Sequence, residues 1–376
     1  MNLMIIIFSI SLLTILAGAF FKKIQNISVT EPFLALLFGV LLGPDVLNLI
    51  KSTDSESEFQ ILELACQFTI AMALMATALR LPSHIFRKNA TSFSNLVILG
   101  MILMWLLGSG VFYLLLPDFT ILECLLLGAI VTPTDPVVAS TLVTGRKAEK
   151  YLPEKIRNTL SFEAGVNDGF AYPIVFLVLY LLGAEGGGDL GEWFTKILLY
   201  ESILCAILAY AVGYGCGFLM KKTHQAGYLN PKTLLSFSIA VALLLLGGFH
   251  LLKMNPIIAV FVGGFAFAKD ITANEDLKEE RIQETMERLT TVPVFFILGL
   301  MLPWQEWQEL GWTAVWIVIG ILLFRRLPAL LLLMPVMPQF RKKLYSVLIM
   351  GWFGPIGVAA LYYAILSKDK AHFEEA

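Results

Sequence analysis

Apolar residues run through this chain in blocks too long for one face of a soluble helix, and the polar residues collect in the gaps between them. Blocks of about 18 or more apolar residues suggest membrane crossings. Twelve spans are expected, at 3–21, 32–50, 59–79, 94–116, 120–144, 157–183, 193–220, 232–252, 255–269, 289–303, 312–336 and 343–366. Together they make one transmembrane domain over 1–366, followed by a short polar tail at 367–376. Asp270 to Leu289 mixes acids and bases and is expected to be a solvated connector, with Ile282 and Met286 spaced for a short surface helix. No basic stretch precedes the first apolar run, so it reads as a span rather than a cleaved leader.

Composition agrees with that pattern: 57% of the 376 residues are hydrophobic and only 15% are charged. The class is an all-α polytopic membrane protein. The placement of the charges says more than their sum. Lys22–Lys23, Arg87–Lys88, Arg146–Lys147, Lys221–Lys222 and Arg341–Lys343 fall in loops that follow odd-numbered spans, whereas the other side holds only Lys51, Lys196, Lys253, Lys368 and Lys370. Basic loops stay in the cytoplasm, which puts the N-terminus outside. Trp193, Trp304, Trp307 and Trp312 fall near span ends, as in an interfacial aromatic belt. Cys66, Cys124, Cys205 and Cys216 lie in apolar segments with no CxxC spacing and read as small buried residues. There is no GxxxxGK[ST], no HExxH and no Cys/His cluster, so neither ATP-driven transport nor a zinc enzyme is indicated.

Three stretches break the apolar pattern. Thr132-Pro133-Thr134-Asp135-Pro136 interrupts the fifth span, because each proline removes a backbone donor and crowds the preceding turn. Gly351-Trp352-Phe353-Gly354-Pro355-Ile356-Gly357 interrupts the twelfth. Non-helical backbone at membrane depth survives only within protein or beside a water-filled cavity. Paired interruptions in two halves of a chain point to a binding site at the interface of inverted repeats. With the breaks in spans 5 and 12, the second repeat comes out one helix short. The third stretch, Glu163 to Gly169, sets Glu163, Asn167 and Asp168 inside the sixth span.

Charged side chains at that depth are costly, and they are usually functional or paired. A buried carboxylate holds its proton more tightly than an exposed one, so Asp168 is suited to carry either H⁺ or a metal cation such as Na⁺; a permanent structural bridge is its other reading. Glu163 needs a counter-charge, and Arg325 or Arg326 of the eleventh span supplies it, with direct cation binding as the alternative. Asp135 follows the break, where it can balance the positive end of a half-helix or coordinate a cation. Thr132 and Thr134 offer hydroxyls beside freed carbonyls suited to a hard cation, and Asn167 adds a neutral oxygen. Gly39 and Gly43 form a GxxxG match that reads as helix packing.

At these residues the chain resembles the monovalent cation/proton antiporters of the sodium/proton exchanger superfamily, in the branch of the fungal plasma-membrane Na⁺/H⁺ antiporters and their bacterial relatives. The resemblance rests on Thr132 to Pro136, Glu163 to Gly169, Phe324-Arg325-Arg326-Leu327-Pro328, and Gly351 to Gly357, in family order. It implies an inverted-repeat fold with two crossing discontinuous helices. It also implies that Asp168 carries ion and proton, that Asn167 is its motif partner, that Thr134 and Asp135 belong to the crossover, and that Glu163 pairs with an arginine of the eleventh span. Members with Asn-Asp are generally taken to exchange one cation for one proton. Ala164 departs from the serine often found there, and the family's usual thirteenth span is missing from the count.

The function expected is exchange of Na⁺ or Li⁺, with K⁺ also open, for H⁺ by a core domain moving against a dimer-forming scaffold. No cofactor and no nucleic-acid partner is expected, only the transported ions, the bilayer and a second copy of the chain. A bacterial inner membrane suits the compact chain. Two rivals stand beside this reading. An intramembrane enzyme would use Asp135 and Asp168 as an acid/base pair within reach of a substrate. A passive channel would need a filter motif that the chain lacks.

Overall fold

The computed structural model describes residues 3–19, 30–50, 55–81, 83–135, 143, 148, 150–184, 189–228, 231–269 and 278–371. All regular secondary structure among them is helical. In chain order the helices are α1 (Leu3–Ala19), α2 (Glu31–Leu42), α3 (Ser55–Arg80), α4 (Ser83–Leu115), α5 (Ile121–Ile130), α6 (Glu154–Leu181) and α7 (Leu190–Gln225). They continue with α8 (Pro231–Leu251), α9 (Pro256–Ala268), α10 (Lys278–Leu300), α11 (Trp304–Leu310), α12 (Trp312–Val336), α13 (Leu344–Trp352) and α14 (Val358–Ala371).

Each expected span overlaps at least one helix among the described residues, though 43–50, 131–135 and 353–357 within them are not helical. Among the described residues, α3, α4, α6, α7 and α12 are each long and apolar enough to cross a membrane; α10 with α11, bent by 66°, is a sixth only if the pair is one broken span rather than a re-entrant loop. Helices α1, α2, α5, α8 and α9 are apolar but shorter. Two expectations are corrected. Helix α10 already begins at Lys278, so the second half of the expected connector is a continuous extension of the tenth span. Helix α14 runs through Ala371, so the start of the expected polar tail is helical, while 372–376 lie outside the described residues.

The chain divides into two compact units, Met1–Thr69 with Gln283–Gly311, and Ile70–Ile282 with Trp312–Ala376. In the first, α2 packs on α10 at backbone distance. A Cβ added to Gly39 would strike the Phe296 carbonyl, and one added to Gly299 would strike that of Leu36. The GxxxG glycine at Gly39 thus serves helix packing, as small residues do where helices approach closely. Thr69 Oγ1 donates to the Thr290 carbonyl at 2.9 Å in the same unit.

The second unit holds the interrupted helices. Leu96 of α4, Leu160 of α6, Leu330 and Leu333 of α12, and Val347 of α13 share one buried cluster. Val111 and Phe112 of α4, Cys124 of α5 and Ile321 of α12 form another. Helix α7 is two-sided. Phe194, Leu199, Ile207, Tyr214 and Phe218 are exposed, as lipid-facing residues are, while Cys205, Ala209, Gly213 and Gly217 are buried four residues apart. That small-residue stripe lets α7 meet α9 backbone to backbone: a Cβ on Gly213 would run into Gly263, and one on Gly217 would lie 3.0 Å from the Phe267 carbonyl oxygen. The four cysteines are free thiols.

This contact generates a paired prediction. Gly213→Leu forces two backbones apart, and overpacking costs about 1–3 kcal/mol even where side chains alone must move. Its thermal midpoint in detergent should fall by several degrees. Gly215→Leu meets nothing within 4 Å and should leave the midpoint unchanged.

Candidate functional site

Helix α5 starts firmly and stops early. Thr120 caps it in a reciprocal capping box with Glu123, whose carboxylate accepts from the Thr120 N–H at 2.6 Å. The helix ends at Ile130, and Val131 to Asp135 is non-helical. The turn is lost before Pro133, which agrees with the bias of a pre-proline residue against helix; Pro136 lies outside the described residues. Helix α13 likewise stops at Trp352, and Phe353 to Gly357 is non-helical before α14 begins at Val358. The two interruptions meet: the Asp135 N–H donates to the Pro355 carbonyl at 2.9 Å. Two glycines make room for the crossing. A Cβ on Gly357 would strike the Asp135 carboxylate, and one on Gly354 would strike the Arg326 side chain.

Broken helices leave orphan carbonyls at their C-terminal ends, which carry partial negative charge. Arg325 answers both ends at once. Its Nη1 donates to the carbonyls of Val131, Thr132 (2.9 Å) and Pro133 (3.3 Å), after α5, and its Nη2 donates to the Gly354 carbonyl at 2.6 Å, after α13. Asp135 faces the opposite kind of end, beside Gly357 at the N-terminus of α14, where partial positive charge favours an anion.

Arg326, the next residue, turns elsewhere. Both of its terminal nitrogens engage Glu163, Nη1 on Oε1 and Nη2 on Oε2 at 2.7 Å, and its Nε donates to the Met350 carbonyl at 2.8 Å. This is the bidentate fork that suits guanidinium to carboxylate. Adjacent residues of a helix already point about 100° apart, and here α12 also winds as a π-helix over Ile321–Arg325 and re-forms as an α-helix from Leu327, with Pro328 in its first turn. Such bulges redirect side chains and recur at functional sites.

Glu163, Asn167 and Asp168 all project from α6 into this region, and each is at most 1% exposed. Asn167 Nδ2 donates to Thr134 Oγ1 at 2.5 Å, which ties α6 to the first interruption. Thr132 Oγ1 donates back to the Gly128 carbonyl at 2.7 Å. Asp168 lies near enough to Asp135 for their charges to interact. Among the described residues, neither carboxylate oxygen of Asp168 has a hydrogen-bond partner, and nor has Asn167 Oδ1. Asp168 does accept at its backbone carbonyl, from the Tyr363 hydroxyl of α14. Among the described residues no three His, Cys, Asp or Glu side chains converge, so a bound cation would rest on one or two carboxylates with neutral oxygens.

The structure therefore brings Thr132, Thr134, Asp135, Glu163, Asn167, Asp168, Arg325 and Arg326 into one buried region. It separates the two arginines: among the described residues Arg326 makes the hydrogen-bonded pair with Glu163, while Arg325 holds the interruptions. Sequence reasoning did not single out Tyr363, the half-buried Tyr172 of α6, or the buried Glu201 and Asn255 beside it. A carboxylate at Glu201, inside the apolar seventh span, was the signal that could have found the last three.

Comparison with known proteins decides the family. The family model described as the sodium/hydrogen exchanger transmembrane domain matches residues 8–375. The chain belongs to that family. It is 30% identical over 354 residues to Na(+)/H(+) antiporter 2 of Zygosaccharomyces rouxii, covering 92% of this chain and 43% of the relative. It is 25% identical over 292 residues to the K(+)/H(+) antiporter NhaP2 of Shewanella sp. strain MR-4, covering 77% of this chain and 48% of the relative. The chain thus spans less than half the length of these two curated relatives. Among solved structures, the sodium proton antiporter MjNhaP1 of Methanocaldococcus jannaschii at pH 8 superposes with a TM-score of 0.73 at 19% identity, over 97% of this chain and 88% of that one. The exchanger family fold is therefore shared across most of both chains, and this is an integral, multi-pass membrane protein.

The buried pair carries a prediction. Breaking a buried ion pair by removing one partner strands the other charge, at about 3–5 kcal/mol. Glu163→Gln and Arg326→Met should each lower the thermal midpoint of the purified protein sharply. The double variant should lose much less than the two losses combined, as a double-mutant cycle reads for directly coupled groups.

Proposed function

We propose that this exchanger-family chain is a secondary antiporter that trades a monovalent cation for a proton, with Asp168 holding one or the other. The observation that supports this most is the Asp168 carboxylate itself. It is fully buried, it has no hydrogen-bond partner among the described residues, and it lies beside the Asn167–Thr134 bond and the crossed interruptions. Stripped of its proton, such a group calls for a cation; neutralised by a proton, it needs none. The two occupants exclude each other, so each cation released to one side is replaced by a proton taken from that side. With one titrating carboxylate the exchange is one for one and electroneutral.

Cation ligands in this reading are Asp168, the oxygens of Asn167, Thr134 and Thr132, and Asp135 where it can reach. Glu163, Arg326 and Arg325 hold the site's shape. The cation is Na⁺, for which the Zygosaccharomyces relative is named, or the similarly small and hard Li⁺. The Shewanella relative is named for K⁺, so K⁺ is the second reading. The chain crosses the membrane twelve times with its N-terminus outside, in keeping with the placement of basic loops. Spans 5 and 12 are matching elements of inverted repeats, and two copies associate as a homodimer. The relatives come from yeast, a bacterium and an archaeon, so a bacterial inner membrane gains no support from them. The enzyme rival has nothing in its favour among these relatives, whose names are those of transporters.

Proteoliposomes holding a pH-sensitive dye and an imposed proton gradient test this. Added Na⁺ should collapse the gradient in wild type, with a rate insensitive to membrane potential. Asp168→Asn should abolish the response while keeping the wild-type midpoint and elution profile. Exchange that survives in Asp168→Asn would contradict the reading.

A further inference from the structure

Pro173 sits inside α6. Having no N–H, it cannot bond the carbonyl of Gly169 one turn earlier, and its ring crowds that group. The weakened turn is the one that presents Asp168. Two donors from other helices attend to it. The Tyr363 hydroxyl of α14 donates to the Asp168 carbonyl, and the side-chain amide of Asn255, which caps α9, reaches the Gly169 carbonyl at 3.4 Å.

Asn255 is fully buried and itself held from three directions. Its Oδ1 accepts from the N–H groups of Ile257 (2.9 Å) and Ile258 (3.1 Å), capping α9. Its backbone N–H donates to the Glu201 carbonyl at 3.1 Å, and its own carbonyl accepts from Cys205 Sγ at 3.1 Å. Glu201 then closes the circuit through its side chain, since Oε2 accepts from the Tyr172 hydroxyl at 2.5 Å. Tyr172 comes four residues after Asp168 and so lies on the same face of α6, one turn along. Glu201 is 6% exposed in a mostly apolar span that also carries Lys196 five residues earlier. A carboxylate there is costly, and the packing of α7 on α9, which uses Cys205, Ala209, Gly213 and Gly217, does not call for it.

We propose that Glu201, Tyr172 and Asn255 are positioning residues, which together fix the proline-weakened turn of α6 against α7 and α9 and so set where Asp168 meets its cation. The inference rests on reading Asp168 as the cation-binding carboxylate. None of the three touches the Asp168 carboxylate. Their effect is on how tightly the cation is held, not on whether the chain folds.

The test separates those two effects. Tyr172→Phe removes one hydroxyl. Glu201→Ala removes its acceptor, whereas Glu201→Gln keeps an acceptor oxygen. Asn255→Ser keeps a capping oxygen for α9 but has no amide to reach Gly169. For each full-length variant in detergent, the thermal midpoint is followed against Na⁺, and separately K⁺, concentration, which reads cation binding without transport. Tyr172→Phe, Glu201→Ala and Asn255→Ser should raise the half-saturating concentration about tenfold, the order of one lost hydrogen bond. Glu201→Gln should restore most of it, and the midpoint without cation should move little. If Tyr172→Phe lowers the cation-free midpoint but leaves half-saturation unchanged, the contact is structural and the proposal is wrong. It is equally wrong if Glu201→Gln binds as weakly as Glu201→Ala. A wild type whose midpoint ignores both cations would overturn the reading of Asp168, and the proposal with it.

Discussion

A helix that stops inside a membrane leaves backbone groups that lipid cannot satisfy, and this chain stops two helices at the same place. The C-terminal ends of α5 and α13 point their unpaired carbonyls toward a common centre, and Arg325 supplies donors to both. The Asp135 N–H and the Pro355 carbonyl satisfy each other across the crossing. Much of the surrounding structure follows from that need. The glycines at 354 and 357 are there because Arg326 and Asp135 occupy the space a side chain would fill.

Charge balance follows from the same arrangement. Glu163 and Arg326 form a bidentate pair and cancel. Arg325 is set against the negative ends of two half-helices, and Asp135 lies beside the positive end of α14. Asp168 stands apart from this pairing, deep in α6 and without a side-chain hydrogen bond among the described residues. Burial makes an uncompensated carboxylate expensive, so it calls for an occupant, and a proton and a small cation are the two that suit it.

The interruptions were legible from sequence because proline and glycine act locally: Pro133 and Pro136 in one apolar span, Gly354 and Pro355 in another. Charges in apolar runs flagged Glu163, Asp168 and the two arginines in the same way. The division of labour between Arg325 and Arg326 was not legible, since it depends on which partners far along the chain each one meets. Nor was the early end of α5 at Ile130, where the chain gives up the helix before reaching the first proline. Tyr172, Asn255 and Tyr363 escaped notice because hydroxyls and amides are unremarkable within spans until a partner far along the chain is known; the Glu201 carboxylate, inside an apolar span, was the one legible sign of them. The extent of α10 was legible only in part: Ile282 and Met286 are spaced for a short surface helix, but the mixed charge from Lys278 onward gives no sign that this helix runs on into the tenth span.

The most direct measurement is calorimetry of Na⁺ binding to the purified wild-type protein at one pH, in buffers of different ionisation enthalpy. If a single carboxylate exchanges its proton for the cation, the heat should vary with the buffer in proportion to close to one proton released per cation bound. The variation should vanish in Asp168→Asn. Na⁺ binding to wild type with no proton release would contradict exchange at Asp168.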